Sequence, residues 1–282
     1  MSSPANVPTA PTGTLVGRLL VRGLLAGLIA GLFAFAVAYV AGEPSVNASI
    51  AVEEAAAKAE PAAHDHGHDH GANGAATQAD SEEEIVSRDL QSTAGLATGV
   101  LVYGVALGGI ASLAFCFVLG RVGRFTPKAT AALVAAAAFT TVYLVPFLKY
   151  PATPPAVGNP DTIGKRTTLF FLMILLSVLL GIAAVVAGRR LAPRLGNWNA
   201  TVVAGLGFVA VVGIACAFLP GNEDAVAGTF PAAVLWEFRL ATLGIQAALW
   251  VAFGLAFGLL AERLLAPPAR AAQAAQAPAP AA

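Results

Sequence analysis

The sequence predicts an all-α fold, a polytopic membrane helix bundle with six transmembrane helices and both termini on the cytoplasmic side. Three observations predict it. The 282 residues are 57% hydrophobic and only 11% charged, with a mean hydropathy of +0.74, whereas a soluble domain carries about 25% charged residues. Six stretches of 19 to 26 residues contain no Asp, Glu, Lys or Arg, and one helix needs about 20 apolar residues to cross a bilayer. The charges that remain segregate between alternate loops. A net charge of zero from 16 basic and 16 acidic residues removes the basic excess of a nucleic-acid binder. Two cysteines cannot build a disulfide scaffold.

The charge-free stretches are Gly23–Ala41, Gly95–Gly120, Ala129–Leu148, Thr167–Gly188, Asn199–Leu219 and Leu240–Ala261. With flanking turns the spans fall at about 19–41, 95–120, 129–148, 167–188, 199–219 and 236–261, inside a membrane domain of residues 19–262. None shows the ten-residue alternation of a barrel strand, and proline is absent from their middles, Pro146 lying near one end. The first span passes through Ala36-Val37-Ala38, which mimics a signal-peptidase site, but it runs on apolar to Ala41, so retention is expected. Gly23, Gly27 and Gly31 share one face of it and permit close backbone approach, inside the bundle rather than across a homodimer. Gly95/Gly99, Gly104/Gly108 and Gly254/Gly258 repeat that spacing. Residues 1–18 and 263–282 read as disordered cytoplasmic ends, the latter rich in Ala, Pro and Gln.

With an inside N-terminus, the cytoplasmic loops hold ten basic residues and one acid, Glu262, while the outer loops hold six basic residues and fifteen acids. That is the orientation the positive-inside rule favours. A cation therefore meets a strongly negative outer face.

Residues 42–94 form the longest loop, acidic and extracytoplasmic, and all four histidines lie in it as His64-Asp65-His66-Gly67-His68-Asp69-His70. Imidazole and carboxylate are ligands for divalent transition metals, and glycine lets a short chain fold around an ion. His64, Asp65, His66, His68, Asp69 and His70 are the expected metal ligands. A flexible run of this kind follows the general divalent order, taking Cu(II) and Zn before Co, so it collects ions without selecting among them. It binds only when deprotonated and weakens as pH falls through about 6.5.

Between the third and fourth spans the chain reads VPFLKYPATPPAVGNPDTIGKRT from Val145 to Thr167. Its prolines predict a stiff, extended cap. Lys149, Lys165 and Arg166 lie on the side that should be poor in positive charge, which points either to specific acidic partners or to headgroup anchoring. This loop resembles the signature of the CbtA family, the predicted cobalt transporter A subunits. Gly42-Glu43-Pro44 followed by an acidic helix with Glu53 and Glu54 is similar too, as is Phe230-Pro231 leading to LWEFRLATLGIQAALW. The resemblance covers about residues 15–262 and implies cobalt uptake linked to cobalamin synthesis, with a small single-span, His-bearing partner called CbtB.

Glu43, Glu53, Glu54, Lys149, Tyr150, Asp161, Arg166, Glu237 and Arg239 gather at the outer boundary, as an ion mouth or as an ion-paired clamp between loops. Inside the spans the polar candidates are Tyr103, Cys116, Tyr143, Met173, Asn199, Cys216 and Gln246. Gln246, about two turns into the sixth span, is a possible intramembrane polar site or an interhelical hydrogen-bonding group. Cys116 lies near the inner end of one span and Cys216 near the outer end of another, beyond disulfide reach, which argues against a thiol oxidoreductase. Gly158–Arg166 lacks the spacing and the Ser/Thr of a phosphate loop, so no ATP site is expected.

The expectation is therefore a multi-pass subunit of the bacterial inner membrane taking up cobalt or a related divalent metal. It has no catalytic residues and requires no cofactor, Co²⁺ being its substrate. The competing reading is a non-transporting metal receptor that hands ions to a partner permease. A membrane enzyme is disfavoured because the His run lacks spaced, helix-held ligands.

Overall fold

Helices form wherever the sequence is apolar for long enough, and three of them continue past the apolar limit. The computed structural model describes residues 12–59, 87–154, 162–221 and 230–266. The described residues contain no strand. Five helices are long and apolar enough to cross a membrane: Thr14–Ala55, Arg88–Val118, Pro127–Lys149, Ile163–Phe218 and Ala232–Leu265.

The first comprises α1 (Thr12–Val37), a π-helical turn (Ala38–Gly42) and α2 (Glu43–Ala59). At about 1.5 Å per residue its 42 residues exceed a bilayer core of about 30 Å, so α2 projects beyond the apolar stretch. The second comprises α3 (Arg88–Leu90), a π-helical turn (Gln91–Gly95) and α4 (Leu96–Val118). The third comprises α5 (Pro127–Ala138), a π-helical turn (Phe139–Leu144) and α6 (Val145–Lys149). Thr126 caps α5 by accepting from the Ala129 N–H, and Pro127 occupies the first turn where its missing N–H costs nothing.

Two of the π turns have a common cause. Pro44 and Pro146 each follow a π turn by two residues. A proline ring collides with the carbonyl four residues back and leaves it without a donor, and widening the turn relieves both. Helix thus continues through Pro146 to Lys149, one residue past the expected end of the third span, into the stretch also read as an extended cap. Among the described cap residues 150–154 are irregular.

α1 and α4 run antiparallel at glycine-on-glycine distance. A Cβ added to Gly27 would lie 2.3 Å from the Gly104 carbonyl oxygen, and one on Gly108 would lie 2.5 Å from that of Gly23. The glycine triple is therefore spent inside the bundle. The face of α1 carrying Ala26, Ala30 and Ala34 is fully buried and joins a core with Phe115, Leu249, Trp250, Phe253 and Phe257. Phe115 meets Phe257 edge-on at 5.0 Å, and Phe257 stacks with Phe253 at 5.3 Å. α8 (Ala232–Leu265) lies against both α1 and α5. Gly254 and Gly258 admit Ala135 and Ala131 of α5, and an ion pair between Lys128 and Glu262 closes that end.

The fourth helix, α7 (Ile163–Phe218), has 56 residues and a break at Gly196, where φ is 76° and ψ 160°. That left-handed backbone is open to glycine and strained for other residues. The chain reverses there: a Cβ on Gly188 would lie 3.3 Å from the Ala204 Cβ, and Met173 packs among Phe208, Val212 and Cys216. α7 is thus a helical hairpin whose arms are residues 163–195 and 197–218. The loop expected at about 189–198 is reduced to one glycine. The first arm is pinned to the third π turn, where the Ser177 hydroxyl donates to the Thr141 carbonyl.

Candidate functional site

The polar side chains of the outer boundary resolve into two groups. The first is a clamp between α2 and α3. Arg88 Nη2 donates to Glu43 Oε2 at 2.5 Å and to Asn47 Oδ1 at 3.1 Å. The Glu43 side chain is only 13% exposed, so its charge is compensated within the protein rather than offered to solvent. Arg88 and Asn47 were not singled out from sequence. A signal for them exists: Glu43 is the first charge after one apolar run and Arg88 is among the last before the next, and antiparallel neighbours bring such ends together. Glu54 pairs with Lys58 at 3.8 Å on the exposed surface of α2, and Glu53 is exposed beside it.

The second group surrounds the described part of the proline-rich cap. The Tyr150 hydroxyl donates to the Pro220 carbonyl at 2.9 Å, tying the end of α6 to the residues after α7. Arg239 Nε donates to the Ala152 carbonyl at 3.3 Å, tying the cap to α8. Lys149 Nζ lies 5.8 Å from the centre of the Tyr150 ring. Burial pushes the Tyr150 phenol above its ordinary value, with the nearby Cys216 thiol adding to the effect, so the phenol stays a neutral donor. Glu237 is exposed on the first turns of α8.

Beneath the cap lies a cavity of about 380 Å³ lined by Tyr143, Phe147, Tyr150, Pro151, Ala152, Thr153, Ile163, Arg166, Thr167 and Phe170. Tyr150 and Arg166 both line it. Glu43, Glu237 and Arg239 do not line it. Asp161 and the six ligands His64, Asp65, His66, His68, Asp69 and His70 lie outside the described residues. Among the described residues no group of three or more His, Cys, Asp or Glu is placed to hold a metal ion. Cys116 and Cys216 are free thiols, as their separation in sequence predicted.

Tyr143 is the lining residue from the third π turn. Its ring stacks between Phe139 (6.1 Å) and Phe147 (5.5 Å), which fixes the direction of the hydroxyl. Thr242 and Tyr103 approach that hydroxyl, yet no hydrogen bond of good geometry closes on it. The Gln246 Oε1 and Trp250 Nε1 atoms are also buried without a partner. Thr242, Gln246 and Trp250 recur every four residues and so share one face of α8.

The family model described as "Probable cobalt transporter subunit (CbtA)" matches residues 16–262. No curated protein and no solved structure matches the chain.

Proposed function

We propose, from the premise that the chain belongs to the CbtA family of probable cobalt transporter subunits, that it is the membrane subunit through which cobalt or a related divalent transition metal is taken up. The observation that carries this reading is the family match over residues 16–262, which coincides with the multi-pass helical domain. We read the reversal at Gly196 as making two crossings of α7, for six in all, with both termini inside a bacterial cytoplasmic membrane. The loop charges support that orientation.

In this reading His64, Asp65, His66, His68, Asp69 and His70 collect ions outside the membrane, raising the local concentration at the mouth. Tyr150 and Arg239 shape the mouth by holding the cap to the residues after α7 and to α8, and Arg166 lines the cavity beneath it. Glu43 acts through its Arg88 clamp by fixing the angle at which α2 leaves the membrane. A small single-span, His-bearing CbtB-like subunit is the proposed partner, and cobalamin synthesis the proposed destination of the metal. The protein itself performs no covalent chemistry.

The test is flux. Purified protein in liposomes, with and without a CbtB-like subunit, should carry Co²⁺ down a gradient, followed by an entrapped metal-sensitive dye. Saturable binding with no flux under either condition would overturn the transport reading and make the protein a receptor that hands metal to another permease.

A further inference from the structure

The Gly196 end of α7 is the part of the molecule that the bundle does not hold. α7 packs against α6 and the third π turn, both toward the Lys149 end of the third helix. The bonds that pin the hairpin lie toward the same end: Ser177 to the Thr141 carbonyl, and Tyr150 to the Pro220 carbonyl just past the second arm. Among the described residues no side-chain hydrogen bond or ion pair joins residues 184–208 to another element, and the Thr201 hydroxyl turns back to the Asn197 carbonyl.

That end is strongly basic. Arg189, Arg190 and Arg194 stand close together just before the reversal, all exposed. From Ile163 to Phe218 the chain contains no Asp or Glu. The one acid assigned to the inner loops, Glu262, is already paired with Lys128. Arg190 and Arg194 lie one turn apart on a shared face, where like charges repel. Their depth is also set. The charge-free stretch 167–188 has 22 residues, which at about 1.5 Å each fill a bilayer core of about 30 Å. The arginines follow within about 10 Å of its end, in the layer where lipid phosphates lie. Trp198 is as far past Gly196 as Arg194 is before it, and it is 79% exposed, as interfacial tryptophans are.

We propose that Arg189, Arg190 and Arg194 bind the phosphate of an anionic phospholipid, which holds the free end of the hairpin at a fixed depth. This rests on the transport reading above for the two membrane crossings of α7. A guanidinium offers a phosphate two parallel N–H donors. A phosphate between Arg190 and Arg194 therefore replaces their repulsion with attraction on both sides. A zwitterionic headgroup carries the same phosphate but brings its own cation, which cancels the gain. The same chemistry is available from a free phosphate, but the lipid alone adds acyl chains. Val185 and Val186 on the first arm and Val202 and Leu206 on the second are exposed apolar side chains along which those chains can lie. The headgroup depth of the arginines likewise favours a lipid over an acidic protein segment.

Native mass spectrometry of the full-length protein, equilibrated in detergent with equimolar phosphatidylglycerol and phosphatidylcholine, reads which lipid is retained. The intact chain should prefer phosphatidylglycerol about a hundredfold, the combined worth of three arginines beside an anionic headgroup. Arg190→Gln, and separately Arg194→Gln, should each cut that preference about fivefold, and changing all three arginines to Gln should abolish it. Arg124→Gln removes an exposed arginine from the loop between α4 and α5 and should change the preference by less than about twofold. Equal losses in Arg124→Gln and Arg190→Gln would reduce the effect to diffuse charge and overturn the site. Displacement of the retained lipid by an equal concentration of glycerol phosphate would make the occupant a soluble phosphate. A dimer lost in the triple variant, with no lipid retained, would make it a second copy of this chain. Either result overturns the lipid. Cobalt flux in liposomes with no lipid preference removes the site and leaves the transport reading standing. A preference that follows the arginines in a protein without flux does the reverse.

Discussion

Replacing Gly27 with alanine separates internal helix packing from self-association most sharply. The added Cβ would lie 2.3 Å from the Gly104 carbonyl oxygen and 3.0 Å from the Gly108 Cα, whereas ordinary contact begins at 3.4 Å. Both obstacles are backbone, so no rotamer change relieves them. α1 and α4 must move apart by about 1 Å, and a gap of that size forfeits a quarter to a half of each dispersion contact along the seam. Overpacking of this kind costs about 1–3 kcal/mol. The loss is read as a lowered midpoint of helix content in a denaturing-detergent titration of the purified protein. Gly104→Ala should cost a similar amount. The double variant should cost less than the two together, because one displacement accommodates both methyl groups. Gly99 is the control: a Cβ there meets nothing within 4 Å, so Gly99→Ala should change stability by less than about 0.5 kcal/mol. If Gly27→Ala leaves the midpoint unchanged, or its effect disappears on dilution as a dimer dissociates, the assignment of this seam to the interior of one chain is wrong.

Two further outcomes follow from the outer face. Arg88→Ala strands the Glu43 carboxylate, which is only 13% exposed, and should cost about 1–3 kcal/mol. Glu43→Gln in the same background should restore part of that loss, and protease cleavage within α2 should quicken in the single variant alone; equal cleavage in both would show that the pair does not hold α2. Deleting residues 62–71 should raise the concentration of Co²⁺ at half-maximal uptake while leaving the maximal rate and the preference among Co, Ni and Zn nearly unchanged. The difference from the intact chain should shrink below about pH 6.5, where protonated imidazoles no longer bind metal. Complete loss of uptake on deletion would mean that the run is part of the path itself.

How much could be read in advance depended on the range of the interaction. The apolar stretches are local, and helices cover them. The glycine triple is local in sequence, yet its partner is not. Spacing alone allowed either a neighbour in the chain or a second copy, and only the meeting with Gly104 and Gly108 decides between them. The sequence pairing of Glu43 with outer arginines missed Arg88, 45 residues away, because the Glu43 partner is set by the antiparallel register of α1 and α4. Pro146 was placed both in the third span and in the extended cap, for a different reason. Proline disfavours an ordinary helix interior, but a π turn two residues earlier removes both the clash and the missing bond, and nothing in the local residues announces that rearrangement. Tyr143 and Gln246 were visible as polar residues in apolar runs. That they are orphaned together is a property of packing.

These features bear on where discrimination between metals can arise. A His/Asp run favours copper and zinc over cobalt, following the general affinity order. Among the described residues there is no cluster of thiolate, imidazole or carboxylate to add ligand-type selectivity. If the run operates as proposed, it does not prefer cobalt and passes on whichever divalent ion is most available outside. Specificity for cobalt would then belong to the machinery that consumes the metal, or to a partner subunit that supplies ligands of its own. Adding the CbtB-like subunit should therefore change the ranking of Co, Ni and Zn in liposome uptake. A ranking that favours cobalt without the subunit, and does not change when it is added, would place selectivity inside this chain.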